Sequence, residues 1–200
     1  RSFDADLNLP SSFGDAQLNG TLKNITVKGK ESYNATFSTK GFDLGRLIMK
    51  EDEIGHVSLN ATVQGTGTEL KTANATFKGE IVQAEYNSYN YQDIAFEGKA
   101  QHGEIELKAS SQDPNMTIDL NGTASLNGQY PKVNAVINIE NLEPHKLNLS
   151  EKDVRFKGKI IADLETADPD YLNGTINIAN AVVNREGEQY KLDTISIVSV

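Results

Sequence analysis

Apolar and polar residues alternate one for one along most of this 200-residue chain. In YLNGTINIANAVV, Tyr171–Val183, Leu172, Gly174, Ile176 and Ile178 share one parity, while Asn173, Thr175 and Asn177 hold the other. Successive side chains of an extended chain point to opposite faces, so this pattern builds strands with one dry and one wet side. The same rule separates Val57, Leu59, Ala61 and Val63 from Ser58, Asn60 and Thr62. It draws further stripes through Met116, Ile118, Leu120 and Gly122, through Val133, Ala135, Ile137 and Ile139, and through Phe156, Gly158, Ile160 and Ala162.

Read this way, the chain holds about a dozen strands. Turn chemistry separates them at SSFGD, NSYN, QDPN, NGQYP and NREGE. Leu18, Gly20 and Leu22 share one parity and Ile25 and Val27 the other, which a bulge near Lys23–Asn24 would reconcile. Helix is confined to two short candidates, Phe42–Lys50 and Asn141–Leu149. The fold class is all-β. No Pro- or Ser-rich linker divides the chain, so residues 1–200 read as one segment. The pattern is already running at RSFDADLNL and still running at DTISIVSV, as in a piece cut from a longer protein.

Leu-Asn-Gly-Thr recurs at Leu18–Thr21, Leu120–Thr123 and Leu172–Thr175, with LNAT at Leu59–Thr62. The intervals are unequal, which argues against a solenoid with a fixed rung and for shared strand grammar, with a degenerate duplication as one source. On the apolar parity, large residues take turns with Gly or Ala. Two packings fit that: a sandwich whose opposing sheet fills the gaps, or a curved sheet whose dry side keeps a hollow.

The net charge of −9 argues against a nucleic-acid partner and supplies no basic patch for anionic lipids. With no Cys there is neither disulfide nor thiolate chemistry. Nine N-x-[ST] sequons, at Asn19, Asn24, Asn34, Asn60, Asn74, Asn115, Asn121, Asn148 and Asn173, read mostly as Asn and Thr sharing the wet side of strands. His56, His102 and His145 have no metal-ligand spacing. Carboxylates gather at Glu51–Glu53 and at Asp163, Glu165, Asp168 and Asp170; paired carboxylates could serve glycoside hydrolysis and ADPDYLNG could lend oxygens to calcium, against ordinary turn chemistry and solvated acidic loops. Nothing assembles a nucleophile, a base and an orienting group, so no catalytic residue, metal site or cofactor is assigned and the chain is not read as an enzyme. Tyr86, Tyr89 and Tyr91 offer either a sugar-stacking surface or a hairpin packed across its own strands.

The stretch EYNSYNYQDIAFEGKAQHGEIELKASSQDPNMTIDLNGTASL, with its Tyr hairpin, DI-F-G strand, DPN turn and Gly-containing strand, resembles a block found in TamB and its AsmA-like relatives. PKVNAVINIENLEPHKLNL, YLNGTINIANAVVNREGEQYKLDTISI, FSTKGFDLGRLI and IGHVSLNATVQGTG are similar to other parts of that family, and the likeness extends over most of the chain. The resemblance implies elongated, strongly curved antiparallel sheets that form a taco-like β-groove with an apolar lining. It implies a periplasmic segment, anchored to the inner membrane by a part of the parent protein not present here. It further implies transfer of lipid acyl chains, or assembly of outer-membrane protein strands alongside an outer-membrane barrel partner. The residues expected to line the groove are Leu59, Val63, Ile118, Leu120, Ile137, Ile139, Phe156, Ile160, Ile176 and Ile178. The alternative is a closed β-sandwich that binds carbohydrate or acts in adhesion through the Tyr86–Tyr91 hairpin.

Overall fold

A computed structural model of the chain describes residues 2–24, 26–27, 29–69, 71–168 and 171–199, with the side chain of Leu9 set aside. The chain forms two compact units, Arg1–His102 and Gly103–Val200. In the first, strands β1 (Ser2–Ser11), β2 (Gly14–Lys23) and β3 (Ser32–Asp43) lead to a short helix, α1 (Leu44–Ile48). Strands β4 (Ile54–Thr66), β5 (Asn74–Tyr86) and β6 (Tyr89–Gln101) follow. The second unit runs β7 (Glu104–Asp113), β8 (Met116–Ser125), β9 (Lys132–Leu142), β10 (Arg155–Asp168), β11 (Tyr171–Arg185) and β12 (Glu188–Ser199). The all-β reading is correct.

Within each unit every strand pairs antiparallel with its chain neighbours. Each unit is therefore an open meander, and among the described residues its strands do not close into a sandwich. Burial agrees with the open layer. Among the described residues the buried hydrophobic ones are Ala16, Ala73, Ala75, Ala100, Ala181, Ile139 and Leu147, so only two large aliphatic side chains lie inside. A sandwich of this length would enclose whole rows of them.

Short connections fix the register. Asn87 and Ser88 both adopt positive φ, 48° and 61°, as do Glu186 and Gly187. This is the twist that a two-residue hairpin requires. Two glycines of the LNGT echoes are steric necessities. A Cβ on Gly20 would stand 2.6 Å from the Asn34 carbonyl, and Gly174, at φ +143°, would press one to 2.2 Å from that of Asp163. The phase change after Leu22 is not a bulge. Strand β2 stops at Lys23, Asn24 turns left-handed at φ 55°, and Val27 is exposed in the following loop; Ile25 lies outside the described residues.

The two units share an order of parts: three strands, a helical turn, three strands. Both turns end alike, with a left-handed residue (Met49 at φ 59°, Asn148 at φ 58°). In each, the next N–H reaches back to an early carbonyl, Lys50 to Gly45 and Leu149 to Pro144, both at 2.8 Å. That is the hydrogen bond of a Schellman-type cap. The segment around Asn141–Leu149 is thus a single capped turn where the sequence suggested a short helix. Leu18–Thr21 and Leu120–Thr123 occupy the second strand of their units, so the echo follows a repeated arrangement of about 100 residues.

The open layer has an energetic consequence. Leu147→Ala, at a fully buried position, should cost about 2–4 kcal/mol in urea unfolding. Ile160→Ala, on a half-buried strand position, should cost about 1 kcal/mol, because most of the transfer from water never occurred. Equal costs would mean that the strand face is covered.

Candidate functional site

In the second unit, antiparallel pairing aligns Ala109, Leu120, Ile137, Ile160, Ile178 and Ile195 into one row across all six strands. With strands about 4.8 Å apart, such a row spans about 24 Å. Beside it run Ile118 and Ile139, paired with each other, and Ala162, Ile176 and Ile197 in sequence. Phe156 pairs with Leu142 and Val183 at the far end of the same face. The eight residues expected there thus fall together. Ile139 is buried at 5% exposure, and the other seven are half-buried.

In the first unit Leu59 pairs with Thr39 and Ile81, and Val63 with Ala35 and Phe77. Both are half-buried. Sequence reasoning named only these two and missed the residues that dominate this face. Phe37 faces Ala61, Ala61 faces Gly79, and Gly79 faces Phe96. A Cβ on Gly79 would meet the Phe96 ring at 2.6 Å, and the ring centroids of Phe77 and Phe96 are 6.5 Å apart. The Phe96 ring thus lies over the glycine of the next strand. Gly158 and Phe156 repeat the device within one strand, with the ring 3.0 Å from a built Cβ. The large–small alternation is a packing within a single sheet, a third account beside the two the sequence allowed. The signal that finds it is register, which needs the turns placed.

Apart from the buried Asp113, which pairs with Met116 at the end of the row through Leu142 and Phe156, these rows contain no Asp, Glu, Lys or Arg. Charge sits on the other parity, where Lys78 faces Glu97 and Lys157 bonds Glu140 at 2.6 Å. Lys132 bonds Glu165 there as well, which raises the lysine pKa. Ala95, opposite Glu80 on the charged side, is exposed, whereas Ala35 and Ala61 on the apolar side are half-buried between bulkier neighbours.

The tyrosines close one end of the first face. Tyr86 pairs with Tyr89 and with Ile54; Tyr89 and Tyr91 meet edge-on at 4.8 Å, and Tyr86 and Tyr91 lie 6.5 Å apart. The rings pack on each other, as the hairpin reading required. Beside them the His56 backbone N–H and ring meet the Glu85 carboxylate at 2.9 and 3.1 Å, and chiefly the backbone bond holds that carboxyl below its usual range. His102 follows β6, and His145 reaches the Ser150 carbonyl at 3.1 Å. Asp163 and Glu165 stand on exposed positions of β10, and Asp170 lies outside the described residues. No cluster with the make-up of a metal site occurs among the described residues. Of the sequons, Asn19, Asn34, Asn60, Asn74, Asn121 and Asn173 are exposed on strands, and Asn24, Asn115 and Asn148 stand in connections.

Comparison of the chain with family models, with curated proteins and with solved structures returned no match.

The end of the second face is closed by a polar knot. Ser111, Asp113 and Asn141 are buried, and Asn141 donates to the Pro114 carbonyl and accepts from Arg155 at 2.6 Å. Glu143, whose side chain is 16% exposed, meets Lys146 at 2.6 Å. That bond, with help from Asn141 and the Arg155 charge, holds its carboxyl below the ordinary range. Because the folded pKa is the lower one, this stabilisation is complete above about pH 4.3 and fades as pH falls through the depressed value. Glu143→Gln should lower stability at neutral pH by roughly 0.5–1 kcal/mol and flatten the loss on acidification. Urea titrations at neutral pH and about pH 3 measure both; an unchanged acid slope in the variant would contradict the assignment.

Proposed function

We propose that this chain is a non-enzymatic segment of a TamB/AsmA-like envelope protein, lying in the periplasm, whose apolar strand faces curve into a trough for lipid acyl chains. The observation that carries this reading is the pair of uncharged, uncovered apolar faces. Soluble proteins rarely leave contiguous apolar surface open unless something occupies it. Each CH₂ moved from water into such a lining contributes about 0.8 kcal/mol, so the face can offset extraction of a chain from a bilayer without an energy source of its own. Its lack of charge suits the acyl part of a lipid, with headgroups left to water at the rim. The inner-membrane anchor and the outer-membrane barrel partner belong to the remainder of the parent protein on this reading.

A second use on the same reading is the holding of an extending outer-membrane protein strand by main-chain pairing at a sheet edge; the residues of β12 other than Ser199 are exposed. The carbohydrate reading has less support, since the Tyr86, Tyr89 and Tyr91 rings pack on each other.

The test is photocrosslinking in cells from single sites at Leu120, Ile137, Ile160 and Ile178. Lipid adducts should form at these positions and not at exposed Asn121 or Asn138 on the opposite parity. Ile137→Asp with Ile160→Asp should cut adducts and the binding of a fluorescent acyl probe by roughly tenfold, about 1.4 kcal/mol. Peptide adducts along Glu188–Ser199 with none of lipid on the face would favour strand holding. No lipid adduct at any of the four sites in a functional protein would remove the trough.

A further inference from the structure

We propose that Leu47, Ile48 and Met49, at the end of α1, form a docking tip that seats the first unit on a zwitterionic lipid surface. Leu47 is 51% exposed, Ile48 47% and Met49 87%, the last the most exposed of the large hydrophobic side chains among the described residues. The second unit supplies the comparison. In its equivalent capped turn the residue before the left-handed position is Leu147, fully buried, whereas in the first unit that residue is Ile48. The same backbone device therefore folds its aliphatic side chain inward in one unit and holds it out in the other. Met49 adopts φ 59° without being glycine, a conformation that costs a side-chain-bearing residue and that the cap keeps in place.

The tip adjoins the tyrosine end of the apolar face. The Asn87 N–H donates to the Glu53 carbonyl, and Ile54 pairs with Tyr86, which brings the Tyr86–Tyr89 hairpin beside the turn. Aliphatic side chains flanked by tyrosines suit the boundary between headgroups and acyl chains. Local charge selects the surface. Glu51 and Asp52 are exposed, Lys50 is paired with Glu53 at 3.1 Å, and Arg46 lies over the Phe13 ring with a bond to the Ser12 carbonyl. This collar repels anionic headgroups and leaves zwitterionic ones neutral to it. Docking there would present the end of the lipid face to a bilayer, so the inference deepens the trough reading and rests on it.

The chain contains no cysteine, so Met49→Cys accepts one environment-sensitive fluorophore, and Leu149→Cys, one residue beyond the left-handed Asn148, serves as the probe of the capped turn in the second unit. The 200-residue chain is mixed with vesicles of phosphatidylcholine, and with vesicles of phosphatidylcholine plus phosphatidylglycerol. The label at position 49 should shift to the blue on the first and several-fold less on the second, and the label at position 149 should shift on neither. Leu47→Asp with Ile48→Asp alters side chains that are already exposed, so its melting curve should match the parent's while vesicle partitioning falls roughly tenfold. No shift at position 49 on phosphatidylcholine would overturn the proposal and leave the tip to a protein pocket. An equal shift on the anionic vesicles would overturn it too, as would undiminished partitioning of the double variant. Binding of a soluble acyl probe separates the two ideas. The double variant should bind it like the parent, and a parent that inserts its tip but binds no probe would sink the trough while the docking surface stands.

Discussion

Each unit must be stable with one side of its sheet uncovered, and the rest of the structure follows from that constraint. A sandwich recovers the entropy of ordering its strands by burying two faces against each other. Here the strands are held by long antiparallel ladders, ten to fifteen residues apiece, and by contacts within a single face. Large side chains lie over the small residues of neighbouring strands, as Phe96 does over Gly79. Glycine in a strand is ordinarily a weakness; under a neighbouring ring it becomes the seat for apolar area that no opposing layer would otherwise shelter.

The ends of the sheets carry what true interior there is. Leu147 and Ile139 are the large aliphatic side chains buried among the described residues, and the buried polar groups Ser111, Asp113 and Asn141 lie near them in the chain ladder. Those polar groups are bonded within the Asp113–Asn115 turn and through Asn141 to Arg155, as buried polar atoms must be. Stability is concentrated at a capped end, and the strand faces are left available.

Much of this was legible in the alternation. Parity alone assigned Leu120, Ile137, Ile160 and Ile178 to one side, and pairing then set them in one row. Parity could not reveal which residues stand side by side, because one row depends on turn lengths several strands away. Hence Phe37, Phe77 and Phe96 went unnamed, although each is plain in the sequence. The supposed bulge after Leu22 failed for a related reason: a change of phase can mark a strand's end as readily as an inserted residue, and Asn24 supplies the left-handed turn that ends it. Whether the open face curves into a trough is not a matter of parity at all, since a flat sheet and a rolled one have the same alternation.

The echoes of LNGT acquire meaning only from the duplicated order of parts. Measured between successive copies, their intervals are unequal, because LNAT at Leu59–Thr62 falls in the fourth strand of its unit and Leu172–Thr175 in the fifth. Measured between equivalent strands, Leu18–Thr21 answers Leu120–Thr123, and Asn74-Ala-Thr answers Asn173-Gly-Thr. The two units share backbone requirements and differ in their side chains. Both helical turns retain the left-handed cap, while the residue before it is buried as Leu147 and exposed as Ile48. Conserved geometry with opposite burial separates what the fold needs from what a unit does with it: the cap serves the chain reversal, and the direction of the aliphatic side chain is free to serve a surface.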